Sequence, residues 1–276
     1  MTQLFDPSTH RRARRNKRVA HAFSKAHGYH QRALTQRHIA EELDAQLEEL
    51  ELPNAPRVLE IGCGTGFLSA PVLRRWPQGD FLFTDISPNM LNRARAHLGG
   101  LPGRRQFVAM DGEQCALKPG FDLIVSSMAF QWFADLASTL TQLVSLLNPG
   151  GHLAFATLGA ETFQEWRRAC ARQSAACGSP HFPTLDDMEK LWPAGGEGWL
   201  DEERVDVQHP SAHAFLRCLR DVGAHRSTLD HRPLSAATMR RLLRAAAARD
   251  GGGGFSVTYH VLYGIYTRDN DLGPIH

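Results

Sequence analysis

The chain has 276 residues, of which 42% are apolar and 22% charged, with a net charge of +2. This is the composition of a globule with one large α/β domain or two small ones, and it excludes a polyanion binder that works through overall charge. No apolar run reaches the roughly 18 residues of a membrane span. The five cysteines are scattered, with no CxxC and no Cys/His ligand spacing. That excludes a disulfide framework and a metal site, and it suits reduced thiols in a cytoplasmic protein.

The N-terminus lacks the apolar core of a signal peptide. It carries "HRRARRNKR" (His10 to Arg18), six basic residues without an acid, which leaves a transit peptide as an alternative. Arg15 to Leu52 reads as helical from the spacing of Val19, Ala22, Phe23, Ala26, Leu34, Ile39, Leu43 and Leu47, with a break at Gly28. "RVLEI" (Arg57 to Ile61) is a short strand that opens into glycines. "FLFTD" is a strand, and "SPNMLNRARAHL" a helix with Ser87 as N-cap and Pro88 at N1. "RQFVAMD" and "FDLIVSS" are strands, "DLASTLTQLVSLL" is a helix, and "GHLAFATL" is a fifth strand. Alternation of this kind predicts a parallel sheet with helices on both faces.

After Leu158 the pattern loosens. Glu161 to Cys177 is predicted to be a helix, "ERVDVQH" a strand, and Ala212 to Val222 and Ser235 to Arg249 helices. "GGGG" (Gly251 to Gly254) is a break, and "FSVTYHVLYGIYTR" closes the chain as a long strand. Residues 159–250 are read as a cap over the ligand crevice, because open α/β sheets bind ligands beyond the carboxyl ends of their strands.

Chemistry begins at "VLEIGCGTG". Gly62, Gly64 and Gly66 follow the first strand directly, and glycines there let the backbone turn sharply and approach a ligand. A dinucleotide fingerprint would need a third glycine where Phe67 stands. Asp85 ends the second strand, where a carboxylate can accept from both hydroxyls of a ribose. Asp111, in "AMDG", can accept from an exocyclic amine, with Gly112 beside it. With Glu60, these acids at neighbouring strand ends suit a cationic, ribose-bearing ligand without phosphates. "SSMAFQW" ends the fourth strand with the amide of Gln131 and the indole N–H of Trp132, both donors. Donors suit a substrate carboxylate, which is already ionised near neutral pH and needs no general base.

Residues 55–157 resemble the class I S-adenosylmethionine-dependent methyltransferases, through "LEIGCGTG", the acid ending the second strand, "MDGEQ" and "LNPGGHLAFAT". The resemblance implies a Rossmann-like sheet, mostly parallel with an antiparallel last strand, carrying N-terminal lid helices and a helical cap insertion. It implies S-adenosylmethionine as cofactor, with Glu60 and Gly62, Gly64 and Gly66 at the methionine end. Asp85 falls on the ribose, Asp111 and Gly112 on the adenine, and Ile86 and Met90 beside the ring. The [DN]PP[YF] signature of nucleic-acid amine methyltransferases is absent.

"KRVAHAFSKAHGYHQRALTQRHIAEEL" (Lys17 to Leu43), "SSMAFQW", "FPTLDDMEKLW", "FLRCLRDVGAH", "RPLSAATMRRLL" and the last strand resemble the BioC family, malonyl-[acyl-carrier protein] O-methyltransferases of biotin synthesis. The basic run before Lys17 and the acidic, Gly-rich tract around Ala194 to Glu203 depart from that pattern. The start "LFDPSTHRRARR" also resembles a mitochondrial assembly relative of the same superfamily. The implied reaction is methylation of the free carboxylate of malonyl-acyl carrier protein. Alternatives are another small-molecule or protein-linked carboxylate, and a cofactor-binding assembly factor. Tyr29, Gln131, Trp132, Tyr259 and His260 are the substrate-side candidates. Tyr259 and His260 fall on opposite faces of the last strand if it is regular.

The implied carrier is acidic, so basic surface would help encounter. Arg11, Arg12, Arg14, Arg15, Lys17 and Arg18 form one candidate patch, and Arg240, Arg241 and Arg244 another. No aromatic interleaving supports nucleic acid as partner of the N-terminal run. The expected organisation is a basic segment with lid helices over 1–52, a cofactor core over 53–158, a cap with one core strand over 159–250, and the final strand and tail over 251–276.

Overall fold

The computed structural model of the protein describes residues 7–24, 30, 33–222, 224, 234–247 and 254–270, the side chains of 7–13 and 247 excepted. The strands are β1 (Arg57–Ile61), β2 (Asp80–Asp85), β3 (Arg104–Ala109), β4 (Phe121–Ser127), β5 (Leu147–Leu158), β6 (Gly196–His209) and β7 (Phe255–Arg268). They form one seven-stranded sheet in the order β3-β2-β1-β4-β5-β7-β6. Pairing is parallel from β3 to β5, and β7 runs antiparallel to both β5 and β6.

Alternation along each strand divides the core. Val58, Leu123 and Ala154 face one apolar cluster, which takes in Leu43, Leu73 and Leu91. Their neighbours Leu59, Ile124 and Phe155 face the other, with Leu143. The first cluster is closed by helices α2 (Leu34–Gln46), α3 (Ser69–Arg75) and α4 (Pro88–Leu98), the second by α5 (Leu136–Leu146). Helices on both faces leave the carboxyl ends of the parallel strands as the open edge. Helix α1 (Pro7–Ser24) lies over that edge, so it starts eight residues before the expected Arg15.

The later segment departs furthest from the sequence reading. The expected helix 161–177 is only α6 (Gln164–Arg172), because Phe163 takes a left-handed turn (φ 58°) and donates its N–H to the Thr258 carbonyl. A short helix, α7 (Leu185–Glu189), follows, with Thr184 and Asp187 forming a reciprocal cap. The expected strand 203–209 is the second half of the 14-residue β6. Its Gly-rich start is built for Trp192: a Cβ on Gly198 would lie 2.5 Å from that indole. Helices α8 (Ala212–Asp221) and α9 (Ala236–Ala247) pack with α6 on the start of β7, sharing a third apolar cluster that includes Phe163, Phe215, Leu242 and Phe255. Among the described residues no helix is long and apolar enough to cross a membrane.

Candidate active site

The glycine loop leaves β1 with φ of +71°, +56° and +91° at Gly62, Gly64 and Gly66, a conformation that L side chains rarely adopt. The three positions do different work. A Cβ on Gly62 would lie 2.5 Å from the Ala129 Cβ, so this glycine lets β1 and the loop after β4 meet. A Cβ on Gly66 would press on Leu98 at 3.2 Å, which places this residue against α4 rather than on the cleft wall. Nothing lies within 4 Å of a Cβ on Gly64, and this residue lines a cleft of about 680 Å³.

Asp85 closes one side of that cleft. Its carboxylate accepts the Gly64 N–H at 3.0 Å and the Ser87 N–H at 2.7 Å, so it also holds the loop. Burial pushes its pKa up to about 6, against the lowering effect of those two bonds. Ile86, Met90 and Gly112 line the cleft as the sequence reading expects. Gly112 is required by packing, since a Cβ would come within 2.6 Å of Ile61 and 2.8 Å of Phe133. Asp111 lines it too, two residues beyond the end of β3.

Glu60 does not reach the cleft wall. It is 2% exposed and accepts a hydrogen bond from Ser69 at 2.6 Å. Burial raises its pKa to about 8, the Ser69 bond opposes this, and the nearby Asp85 charge adds to it. Its place is beneath the glycine loop, bracing α3. Ser87 occupies the N-cap position of α4, but its hydroxyl does not cap the helix; it lies 3.0 Å from the Ser24 hydroxyl of α1.

The sequence reading missed how α1 enters the site. Asn16, Val19 and Phe23 recur at helical spacing and line the cleft. Asn16 donates to Asp111 at 2.6 Å, and Arg15 pairs with Glu113. Glu113 in turn accepts the backbone N–H groups of Ala134 and Asp135. Arg15 is therefore committed to the lid contact and is removed from the basic patch expected to meet a partner. The 16-19-23 spacing was the available signal, hidden under the run of arginines.

A second cavity of about 570 Å³ adjoins the first, and Phe23, Met128 and Trp132 line both. The loop after β4 makes this partition. Met128 takes φ 58°, its N–H donates to the Ala156 carbonyl, and its own carbonyl accepts from the Gln131 amide at 2.7 Å. The Gln131 oxygen accepts from Thr157 at 3.3 Å. One of the two amide N–H groups of Gln131 is thus spent on the loop, and one remains for a ligand. Trp132 packs edge-on against Phe23 at 5.6 Å. Its indole N–H forms no hydrogen bond with a described residue.

Walls of the second cavity are apolar, among them Leu158, Phe163, Phe182 and Leu219. Tyr259 lines it, is 4% exposed, and has no hydrogen-bond partner for its hydroxyl among the described residues. Burial holds its pKa well above the ordinary tyrosine value. His260 faces the other way. Its Nδ1 accepts the Glu161 N–H at 3.2 Å and its Nε2 lies 2.8 Å from Glu202. That bonding makes it a structural imidazole outside both cavities, which corrects its place among the candidates. Tyr29 lies outside the described residues.

The two cavities differ in chemistry. Three carboxylates, Asp85, Asp111 and Glu113, line the first, and among the described residues no acid lines the second. A cationic, ribose-bearing cofactor such as S-adenosylmethionine fits the first: space opens over Gly64, Asp85 has lone pairs left for hydroxyls, and Ile86, Met90 and Phe133 offer apolar flanks. Among the described residues no cluster could hold a metal ion.

The sequence matches the Methyltransferase domain family over residues 59–153. It is 56% identical, over 95% of this chain and 96% of the relative, to a malonyl-[acyl-carrier protein] O-methyltransferase of Magnetococcus marinus. It is 43% identical, over 87% of this chain and 50% of the relative, to the biotin biosynthesis bifunctional protein BioCD of Bordetella avium. Among solved structures, the YcgJ protein of Bacillus subtilis superposes with a TM-score of 0.59 over 84% of this chain and 99% of that one, at 16% identity. The [4+2]-cyclase SpnF superposes with a TM-score of 0.54 over 84% of this chain and 81% of that one, also at 16% identity. These two likenesses concern the fold alone.

Proposed function

The chain belongs to the malonyl-[acyl-carrier protein] O-methyltransferase family, and we propose that it methylates the free carboxylate of a malonyl thioester carried on acyl carrier protein, as a step of biotin synthesis. It is an S-adenosylmethionine-dependent methyltransferase. The cofactor supplies an electrophilic methyl group on a sulfonium sulfur. A carboxylate oxygen forms the new bond to carbon as the carbon–sulfur bond breaks, leaving a neutral ester and a neutral thioether. No proton moves.

The observation that carries this reading is the division of charge between the adjoining cavities. Carboxylates line the one suited to a sulfonium cofactor, and donors line the one suited to an anion, with no acid among its described residues. Asp85 takes the ribose hydroxyls and Asp111 the exocyclic amine, with Ile86, Met90 and Gly112 around the base. The Trp132 indole, the free N–H of Gln131 and the Tyr259 hydroxyl present the carboxylate. Tyr29 joins them on the sequence argument alone.

Opposite charges cancel as the methyl group transfers, so a dry site lowers the barrier. The apolar walls and the α1 lid exclude water. Holding the oxygen in line with the sulfur–methyl bond at about 3–3.5 Å supplies much of the rest. A free dianion would lose hydration in the apolar second cavity without an apolar arm to offset it, which favours a thioester substrate. The described cysteines are free thiols, in keeping with a cytoplasmic enzyme.

The test is complementation of a biotin-requiring bacterium that lacks this carboxyl methylation. Growth without biotin is expected. Continued biotin dependence, with folded protein present in the cell, would overturn the proposal.

A further inference from the structure

If the substrate's arm enters the second cavity, as the proposed function holds, its carrier must stop at that cavity's mouth. Phe163, Phe182 and Tyr259 are buried at its floor, while Pro180, Leu219 and Ala224 are half-buried at its rim. Leu219 and Val222 bring the rim onto α8 and the residues just after it.

Helix α8 turns Ala212 and Phe215 inward, and α9 turns Leu242 and Ala246 inward. The two helices pack against each other, so their outer faces form one surface. That surface is basic. Arg217 and Arg220 on α8, and Arg240, Arg241 and Arg244 on α9, are all exposed. Asp221 is the single acid on the two helices. None of the five arginines forms a salt bridge with a described residue, and Arg241 alone has a side-chain hydrogen bond, to Thr238. The whole chain carries a net charge of only +2, so the excess on these two helices is a local feature of the surface.

We infer that α8 and α9 form the docking surface for the acidic carrier protein, with the carrier's acidic face lying across Arg217, Arg220, Arg240 and Arg244. Charge complementarity selects the partner, and the adjoining mouth gives its arm a direct path inward. The basic stripe of α1, exposed at Arg14, Lys17 and Arg18, lies over the cofactor cleft instead and does not border the second cavity. This inference rests on the proposed substrate, and the experiment below separates the two.

Two charge-reversed variants of the full chain are compared with the parent at low salt: Arg217→Glu with Arg220→Glu, and Arg240→Glu with Arg244→Glu. Each is assayed with malonyl-carrier protein and with malonyl-pantetheine, which has the arm but no acidic protein. The KM for the carrier is expected to rise about tenfold or more with kcat retained, since charges at an interface rim act on encounter. Values for malonyl-pantetheine should stay within about twofold, the range of a surface change away from the chemistry. A third variant, Arg14→Glu with Lys17→Glu and Arg18→Glu, should leave the carrier KM within the same range. Melting curves confirm folding. Independently of any variant, salt should raise the parent's KM for the carrier more steeply than for malonyl-pantetheine. Unchanged carrier KM in the α8 and α9 variants, equal losses with both substrates, or a loss confined to the α1 variant would overturn the docking surface while leaving the reaction standing. A parent enzyme that converts neither thioester would overturn the proposed reaction, and the docking inference with it.

Discussion

Gly64→Ala separates the ligand's demands from the fold's. Gly64 sits at φ +56° with nothing within 4 Å of where a Cβ would stand, so the substitution meets no clash in the protein. Only the backbone preference is lost, about 1–2 kcal/mol for an alanine in the left-handed region. For a chain of this size that lowers the melting temperature by roughly 2–8 °C. Under the proposed function, the new methyl group nevertheless projects beside a cleft wall that the cofactor's methionine portion approaches. Overpacking of that kind costs about 1–3 kcal/mol, a Kd for S-adenosylmethionine raised about 5- to 150-fold. The contrast is Gly62→Ala, whose Cβ would fall 2.5 Å from the Ala129 Cβ and should harm folding first. Titration calorimetry with S-adenosylmethionine and its demethylated product, alongside thermal melting, reads both effects. If Gly64→Ala binds the cofactor as tightly as the parent, no ligand approaches this loop, and the assignment of the first cavity is wrong.

Asp85→Ala should weaken cofactor binding by roughly 1.5–3 kcal/mol, the range of a hydrogen bond to a charged group. Because the Asp85 pKa stands at about 6, cofactor affinity measured by calorimetry should rise as pH increases through that value; a flat profile would remove the carboxylate from recognition. Tyr259→Phe should lower turnover with cofactor affinity unchanged. Its melting temperature should stay the same or rise slightly, because the hydroxyl has no partner to lose among the described residues; full turnover would show the hydroxyl to be idle. Glu60 gives a stability signature. Its folded pKa, about 8, lies above its ordinary 4.5, so the folded state keeps a proton that the unfolded chain releases. Stability of the unliganded protein should therefore fall as pH rises from 4.5 to about 8, and Glu60→Gln should flatten that slope in melting curves. An identical slope in the variant would show that Glu60 does not carry it.

The lining of the acidic cleft was legible because its residues are local. Each acid or glycine follows a strand by a fixed short distance, so "LEIGCGTG" and "AMDG" place Gly64, Asp85 and Asp111 once the strands are recognised. Glu60 misled for a related reason: period-2 alternation puts a residue on a face, but whether that face meets ligand or helix depends on α3, and Ser69 claims the carboxylate. The α1 lid was hidden because Asn16 and Phe23 acquire a role only through contact with Asp111 and Trp132, more than ninety residues away. The Gly- and acid-rich start of β6 reads as loop. It becomes strand because β7 offers a partner along its whole length, and Trp192 and Tyr266 fill the space above Gly198 and Gly196. Tyr259 and His260 show the limit of the alternation argument. Opposite faces were predictable from the strand, but which face held the cavity was decided by where α6 and α8 pack.

The central claim, that this two-cavity site joins a methyl group to a carrier-bound carboxylate, is tested most directly by mass spectrometry of the carrier. Purified protein, S-adenosylmethionine and malonyl-carrier protein should yield a carrier heavier by one methylene unit, with the new group lost on mild ester hydrolysis and the thioester required for the reaction. Free malonate under the same conditions should remain unmethylated. An unmodified carrier in the presence of bound cofactor, or methylation of free malonate at an equal rate, would contradict the account.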